Sequence, residues 1–161
     1  MPELRPIRES DVPEVLALNE ANVQMLAPMD EEHLHRLRGI ADRFDVLHTD
    51  GLFAGFVVTF ARGAAYDSEN FRWFGQRHGD GADFYYLDRV VLHQQFRRQG
   101  LGGFIYDAME ARAAEHGRLC LEVNVVPRND PSLAFHAGRG YLEVGRRGED
   151  DHVVAMLEKP L

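Results

Sequence analysis

The chain of 161 residues holds one cysteine, Cys120. No disulfide can therefore form within it, and a reducing compartment, the cytosol, is the expected setting. No apolar stretch approaches the roughly 18 residues of a membrane span. The opening segment MPELRPIRESD lacks the apolar core of a secretory signal, so neither membrane nor export is expected. No Gly-Lys-Ser/Thr triplet occurs, which excludes a Walker loop, and no histidine, cysteine and carboxylate set has zinc-ligand spacing, so no metal is expected. Positive charge is in the minority: 18 Lys and Arg against 26 Asp and Glu give a net charge of −8. A field of that sign opposes broad contact with nucleic acid or anionic lipid and favours cationic or amine partners. What is present, 45% apolar and 27% charged residues, has the balance of a soluble globular protein, and the length suits one domain over residues 1–161.

Periodicity orders the chain as β-α-α-β-β-β-α-β-α-β-β. A short strand precedes a helix whose N-cap is expected at Ser10, with Asp11 at its positive end and Pro13 in its first turn. Val12, Val15, Leu16 and Val23 recur at helical spacing, and Asn19 falls on their face. A second helix is expected over DEEHLHRLRGIA. RFDVLHT and FAGFVVTFA flank Asp50-Gly51, a hairpin signal. Residues 62–82, rich in Gly, Asp, Asn and Arg, read as a long loop, functional or mobile. DFYYLDRVVLHQ reads as a buried strand, and GLGGFIYDAMEARAAEHG as an amphipathic helix closed by Gly117. RLCLEVNVV is a further strand, and DPSLAFHAGRG a short helix with Asp130 as its cap. YLEVGRR and HVVAMLEKP form a closing antiparallel pair. Strand, turn, helix and strand across residues 83–126 make a parallel crossover, whereas the hairpins are antiparallel. The fold class is thus α/β, a mixed sheet with helices on both faces.

The stretch FRRQGLGGF, residues 96–104, places two arginines before three glycines, between an apolar strand and a helix. Glycine lets a backbone approach a ligand closely, arginine grips anionic oxygens in a planar fork, and a helix N-terminus favours a phosphate. Against the acidic background, Arg89, Arg97 and Arg98 read as a confined anion site. A dinucleotide fingerprint would need a third glycine where Ile105 stands. Arg97-x-x-Gly100-x-Gly102 resembles the acyl-coenzyme A pyrophosphate loop of the GNAT superfamily of N-acetyltransferases. The run from Asn129 through Ser132, Phe135 and His136 to Gly140-Tyr141 is similar to that superfamily's second signature, and the likeness spans roughly residues 83–142.

The resemblance implies a GNAT-like fold with a mostly antiparallel sheet and one parallel, splayed strand pair. It implies acetyl-coenzyme A as cosubstrate and transfer of its acetyl group to a primary amine of a small molecule or peptide by direct attack. The pyrophosphate would sit on Arg97, Arg98, Gln99, Gly100, Leu101, Gly102 and Gly103. Val90, Val91 and Leu92 would offer backbone groups to the pantetheine arm and the thioester carbonyl. Asn129, Ser132, Phe135 and His136 would complete the coenzyme site, Asn129 meeting the pantetheine amides. His136 stands where the superfamily has a tyrosine acting as general acid toward the leaving thiolate, and histidine can also donate a proton.

Glu122 and Asp88 are the candidates for the base that takes the proton of the amine, since each lies in an otherwise apolar strand where a carboxylate is expensive unless paired or functional. An ion pair with a local arginine is the alternative for Asp88, and an ordered water is a third source of base. Asn124, two residues along on the same strand face, would line the acceptor site with Glu122. Asn19, Tyr66 and Asp67 are candidates for the acceptor side, and Tyr66, Asp67, Asn70 and Trp73 could form a lid. Two other functions stay open, transfer of a longer acyl group and a coenzyme-binding sensor without turnover. Symmetric pairing is common among such domains, so a homodimer is admitted.

Overall fold

The computed structural model describes residues 1–161. Its strands are β1 (Pro2–Pro6), β2 (Arg43–Thr49), β3 (Leu52–Ala61), β4 (Tyr85–Leu92), β5 (Arg118–Val126), β6 (Leu142–Glu149) and β7 (His152–Pro160). The helices are α1 (Val12–Ala21), α2 (Glu31–Ile40), α3 (Glu69–His78), α4 (Leu101–Ala113) and α5 (Asp130–Gly138). The strands form one sheet in the order β1-β2-β3-β4-β5-β7-β6. Every neighbouring pair is antiparallel except β4 and β5. This is the mixed α/β sheet expected from the element order. No helix is long and apolar enough to cross a membrane.

Alternation along the strands divides the core into two layers. Phe56, Tyr86, Cys120 and Met156 face one side, where Val15 of α1, Leu34 of α2 and Phe71 and Phe74 of α3 cover them. Leu47, Tyr85, Leu121 and Ala155 face the other, against Ile105 and Met109 of α4. The β2–β3 turn puts Asp50 at φ 51° and Gly51 at φ 78°, the paired positive angles of the type I′ hairpin that Asp-Gly favours.

Three local expectations need correction. The stretch read as a loop over 62–82 contains α3, begun by Ser68, whose hydroxyl accepts from the Phe71 N–H. Ser10 lies inside a 3-10 turn, Glu9–Asp11, ahead of α1. The Asp11 carboxylate organises that entrance, accepting from the Arg8 N–H at 2.7 Å and from both terminal nitrogens of Arg5. Asn129, rather than Asp130, caps α5, its side-chain oxygen accepting from the Ser132 N–H at 3.2 Å.

One residue decides how the sheet opens. In the β3–β4 ladder Arg89 pairs with Val58 and Leu87 with Thr59, which leaves Asp88 without a partner. This β-bulge bends the strand and raises its twist. On its other side β4 pairs with β5 only at Tyr85↔Leu119 and Tyr86↔Cys120. Beyond Tyr86 the two parallel strands separate, and the rest of their facing edges bounds a cleft. The bulge also returns both Asp88 and Arg89 to the face covered by α1 and α3, which strict alternation would forbid.

Candidate active site

The cleft has a phosphate-type mouth. Gly100 (φ 77°) and Arg98 (φ 63°) both adopt left-handed conformations just before α4. No side chain caps that helix end, so its first N–H groups stay available as donors where the helix dipole is positive. The side chains of Arg97, Arg98 and Gln99 are exposed around it. Arg97 donates to the Asn22 side-chain oxygen at 2.9 Å, and Gln99 to the Gln95 carbonyl at 3.3 Å. Gly102 lies close to α5, where a Cβ would meet the Phe135 ring at 3.6 Å. Gly103 faces the Arg139 guanidinium, and Leu101 is buried in the core under α4. Arg89 does not join this cluster: it is buried on the opposite face and paired with Asp88.

Backbone orientation along β4 follows from one hydrogen bond. The His93 N–H donates to the Ala54 carbonyl at 2.7 Å, so His93 turns its polar groups toward β3. Strand alternation then turns Val91 the same way, and Val90 and Leu92 toward β5. Since β5 has already separated, the N–H and C=O groups of Val90 and Leu92 face the cleft. Val91 contributes its side chain to the core under α1.

Two carboxylates and two phenols lie on the α1–α3 side of the cleft. Glu122 on half-buried β5 backbone accepts from the Tyr86 hydroxyl at 2.9 and 2.7 Å. Burial, followed by the charge of Asp88, pushes its carboxyl up to about 7, while the Tyr86 hydroxyl and the Asn70 amide partly offset that rise. Asp88 accepts from the Tyr66 hydroxyl at 2.6 Å and from Arg89 at 2.7 Å. Burial opposes the Arg89 charge, but the adjacent Asp88 outweighs it and holds the guanidinium firmly protonated. Arg89 also donates to the Asn19 side-chain oxygen and the Ala27 carbonyl, while the Asn19 amide donates to that same carbonyl. Asn19 is thus bonded at both ends, and with Arg89 it ties the α1–α2 connection to β4. Asn124, one pleat beyond Glu122, points its amide at the Met25 sulfur, 3.6 Å away on that connection. Asp67 is exposed.

His136 sits apart from these carboxylates, between α4 and α5, only 4% exposed. Nδ1 lies 2.7 Å from the Ser132 carbonyl and Nε2 lies 2.7 Å from the Tyr106 hydroxyl. The Ser132 hydroxyl is 3.3 Å from the same Nδ1. Burial lowers the pKa of the ring, which favours its neutral form. Phe135 and Tyr141 pack edge-on against the imidazole.

Other groups with chemical potential are internally satisfied. Cys120 lies near His78 and Glu158, but Arg118 donates to His78 Nδ1 at 3.0 Å and Arg77 approaches Glu158 at 3.7 Å. Those two cations oppose a bound divalent ion, and burial raises the thiol pKa. His35 forms a surface group with Glu9 and Glu31, and a surface depression of about 350 Å³ lined by Glu20, Met29, Asp30 and His33 shares no residue with the cleft. Sequence reasoning overlooked Tyr86 and Tyr106. Only Tyr86 carried a signal, a phenol one pleat from Asp88 in an apolar strand.

The model of a family described as "Acetyltransferase (GNAT) family" matches residues 17–141. No curated protein matches the chain. Among solved structures, Ard1 from Thermoplasma volcanium superposes with a TM-score of 0.76 at 16% identity, covering 99% of this chain and 97% of that one. A ribosomal-protein-alanine N-acetyltransferase from Brucella melitensis gives 0.71 at 23% identity and covers 99% of both chains. Arabidopsis thaliana Naa50, in complex with the bisubstrate analogue CoA-Ac-MVNAL, gives 0.71 at 11% identity with 99% of both covered. The bulged β4, the splayed parallel pair and the uncapped start of α4 are therefore found in a chain that belongs to the GNAT family of acetyltransferases.

Proposed function

We propose that residues 1–161 form a single catalytic domain that transfers the acetyl group of acetyl-coenzyme A to a primary amine by direct attack. The observation that carries this reading is the placement of Glu122. A buried carboxyl, pushed up to about 7 by burial and then by the charge of Asp88, stands on the wall of the cleft, next to the strand edge where Val90 and Leu92 present free backbone groups. A base with a pKa near the working pH takes a proton efficiently while still being half ionised at neutrality.

Acetyl-coenzyme A supplies the activated thioester. The first turn of α4 with Arg97 and Arg98 holds the diphosphate, and Gly100 and Gly102 allow the close backbone approach. Backbone N–H donors of β4 receive the negative charge that builds on the acetyl oxygen, a contribution of about 3 to 4 kcal/mol per donor in enzymes where it has been removed. Glu122 takes one proton from the ammonium form of the acceptor. The nitrogen then forms its bond to the acetyl carbon as the carbon–sulfur bond breaks, and the second nitrogen proton reaches the departing thiolate through solvent. His136 takes no part in this relay. With a carbonyl on one nitrogen and a phenol on the other, it serves as a neutral strut between α4 and α5.

Asp88 acts on the base by charge rather than by proton transfer, because Arg89 and Tyr66 already engage it. Asn124 and Tyr66 border the acceptor, and both small amines and peptide N-termini meet the chemical requirement. The test is thiol release from acetyl-coenzyme A across a panel of amines and short peptides, comparing the wild type with Glu122→Gln. Turnover that Glu122→Gln lowers a hundredfold or more supports the reading. Coenzyme binding with no turnover on any acceptor would overturn it in favour of a sensor.

A further inference from the structure

The connection between α1 and α2, residues 22–30, is tied to each of the three elements around the cleft. Arg89 of β4 donates to the Ala27 carbonyl at 3.2 Å. Asn124 of β5 directs its amide to the Met25 sulfur at 3.6 Å. The third tie comes from the loop ahead of α4, where Nη2 of Arg97 donates to the Asn22 side-chain oxygen at 2.9 Å. That last arginine is one of the two assigned to the diphosphate of the coenzyme.

Asn22 is itself held fast at the end of α1. Its Nδ2 donates to the Leu18 carbonyl at 2.9 Å, and its backbone N–H donates to the Asn19 carbonyl at 3.0 Å. These partners fix the sense of the amide. A carbonyl only accepts and a guanidinium only donates, so the NH₂ group faces Leu18 and the oxygen faces Arg97. Helix α1 has no basic residue in its own last turn, and Arg97 brings the positive charge that this carbonyl end favours.

The bond to Asn22 takes only part of the donor set of the guanidinium, and a neutral amide leaves its charge uncompensated. The remaining N–H groups stay open to an anion. A long side chain gives up rotamer freedom when a ligand immobilises it, and that loss weakens binding. Arg97, held by Asn22, has given up part of it beforehand. We propose that Asn22 is a positioning residue for Arg97, pre-orienting the guanidinium for the diphosphate from the end of a helix that packs on the opposite face of the sheet. This inference rests on the reading of Arg97 as a diphosphate ligand.

The experiment is calorimetric titration of coenzyme A into the full chain, carried out on the wild type, Asn22→Ala, Arg97→Ala and the double variant. Asn22→Ala weakens binding about 3- to 10-fold, the span expected from immobilising one long side chain, and Arg97→Ala weakens it further. On the Arg97→Ala background Asn22→Ala changes nothing, because the side chain it positions is gone. Melting temperatures record any stability lost with the Leu18 bond and separate folding from positioning. A loss of equal size on both backgrounds marks a purely structural role and overturns the inference. Unchanged or tighter binding by Asn22→Ala, with Arg97→Ala still weak, overturns it too and spares the diphosphate assignment. If Arg97→Ala leaves the affinity unchanged, that assignment fails and this inference with it.

Discussion

The Tyr106 hydroxyl lies 2.7 Å from Nε2 of His136, and the Ser132 carbonyl lies 2.7 Å from Nδ1 of the same ring. A carbonyl only accepts, so the proton of the neutral ring is on Nδ1 and Nε2 accepts from the phenol. Burial lowers the pKa of this histidine in the folded protein. The unfolded chain therefore binds the proton more readily. The stabilisation is complete above the ordinary value of about 6.5 and is lost as pH falls toward the lower folded value. His136→Phe orphans the Tyr106 hydroxyl and should cost about 1–3 kcal/mol at pH 7. Thermal melts of both proteins should show that gap shrinking on acidification, whereas a gap that widened would contradict the neutral ring.

Glu122 has the opposite dependence. Its carboxyl is raised from 4.5 to about 7 by burial and by Asp88, so the folded protein holds the proton more tightly than the unfolded chain. This group costs stability as pH rises between those values, by up to about 3 kcal/mol before solvent screening is counted. Glu122→Gln should melt higher than the wild type at pH 8, with the difference vanishing near pH 4.5. The same variant should lose acetyl transfer by about 10²–10⁴-fold and with it the rise in rate through pH 7.

Arg97 and Arg98 are exposed and make one side-chain hydrogen bond between them, to Asn22. Replacing both with alanine should leave the melting temperature unchanged. Calorimetry should show coenzyme A binding weakened by roughly 10²-fold or more, as expected for two charge-assisted contacts. Unchanged affinity would remove the diphosphate from the start of α4.

Trp73 of α3 packs on Gly145 of β6 so closely that a Cβ there would fall 2.5 Å from the ring. Gly145→Ala should force the indole aside and cost about 1–3 kcal/mol, measured by urea denaturation.

The strands, the turn at Asp50-Gly51 and the glycine-rich start of α4 were legible because each has a local physical cause: alternation, paired positive φ, and a left-handed glycine between strand and helix. The helix α3 was not. Only Phe71 and Phe74 are buried in its ten residues, too thin a stripe to stand out among Glu69, Arg72, Gly75 and Arg77. Its start and stop, Ser68 and Gly79, were present but read as loop residues. Glu122 was legible as a carboxylate in an apolar strand, while its partner was not, because the Tyr86 hydroxyl comes from a separate strand. Arg89 misled in turn. Sequence proximity placed it with Arg97 and Arg98, and the bulge at Asp88 just before it turned it to the other face.

That bulge makes the protein sensitive to chain length at one point. Excising Asp88 would do more than delete a carboxylate. Leu87 and Arg89 would become consecutive rungs opposite Thr59 and Val58, so all other β4 side chains would keep their faces while the bend and the added twist were lost. The strand edge could then run straight alongside β5 and seal the gap from which Val90 and Leu92 look out. The opening between β4 and β5 thus hangs on one supernumerary residue in an otherwise regular ladder, a length that no substitution elsewhere in the strand supplies.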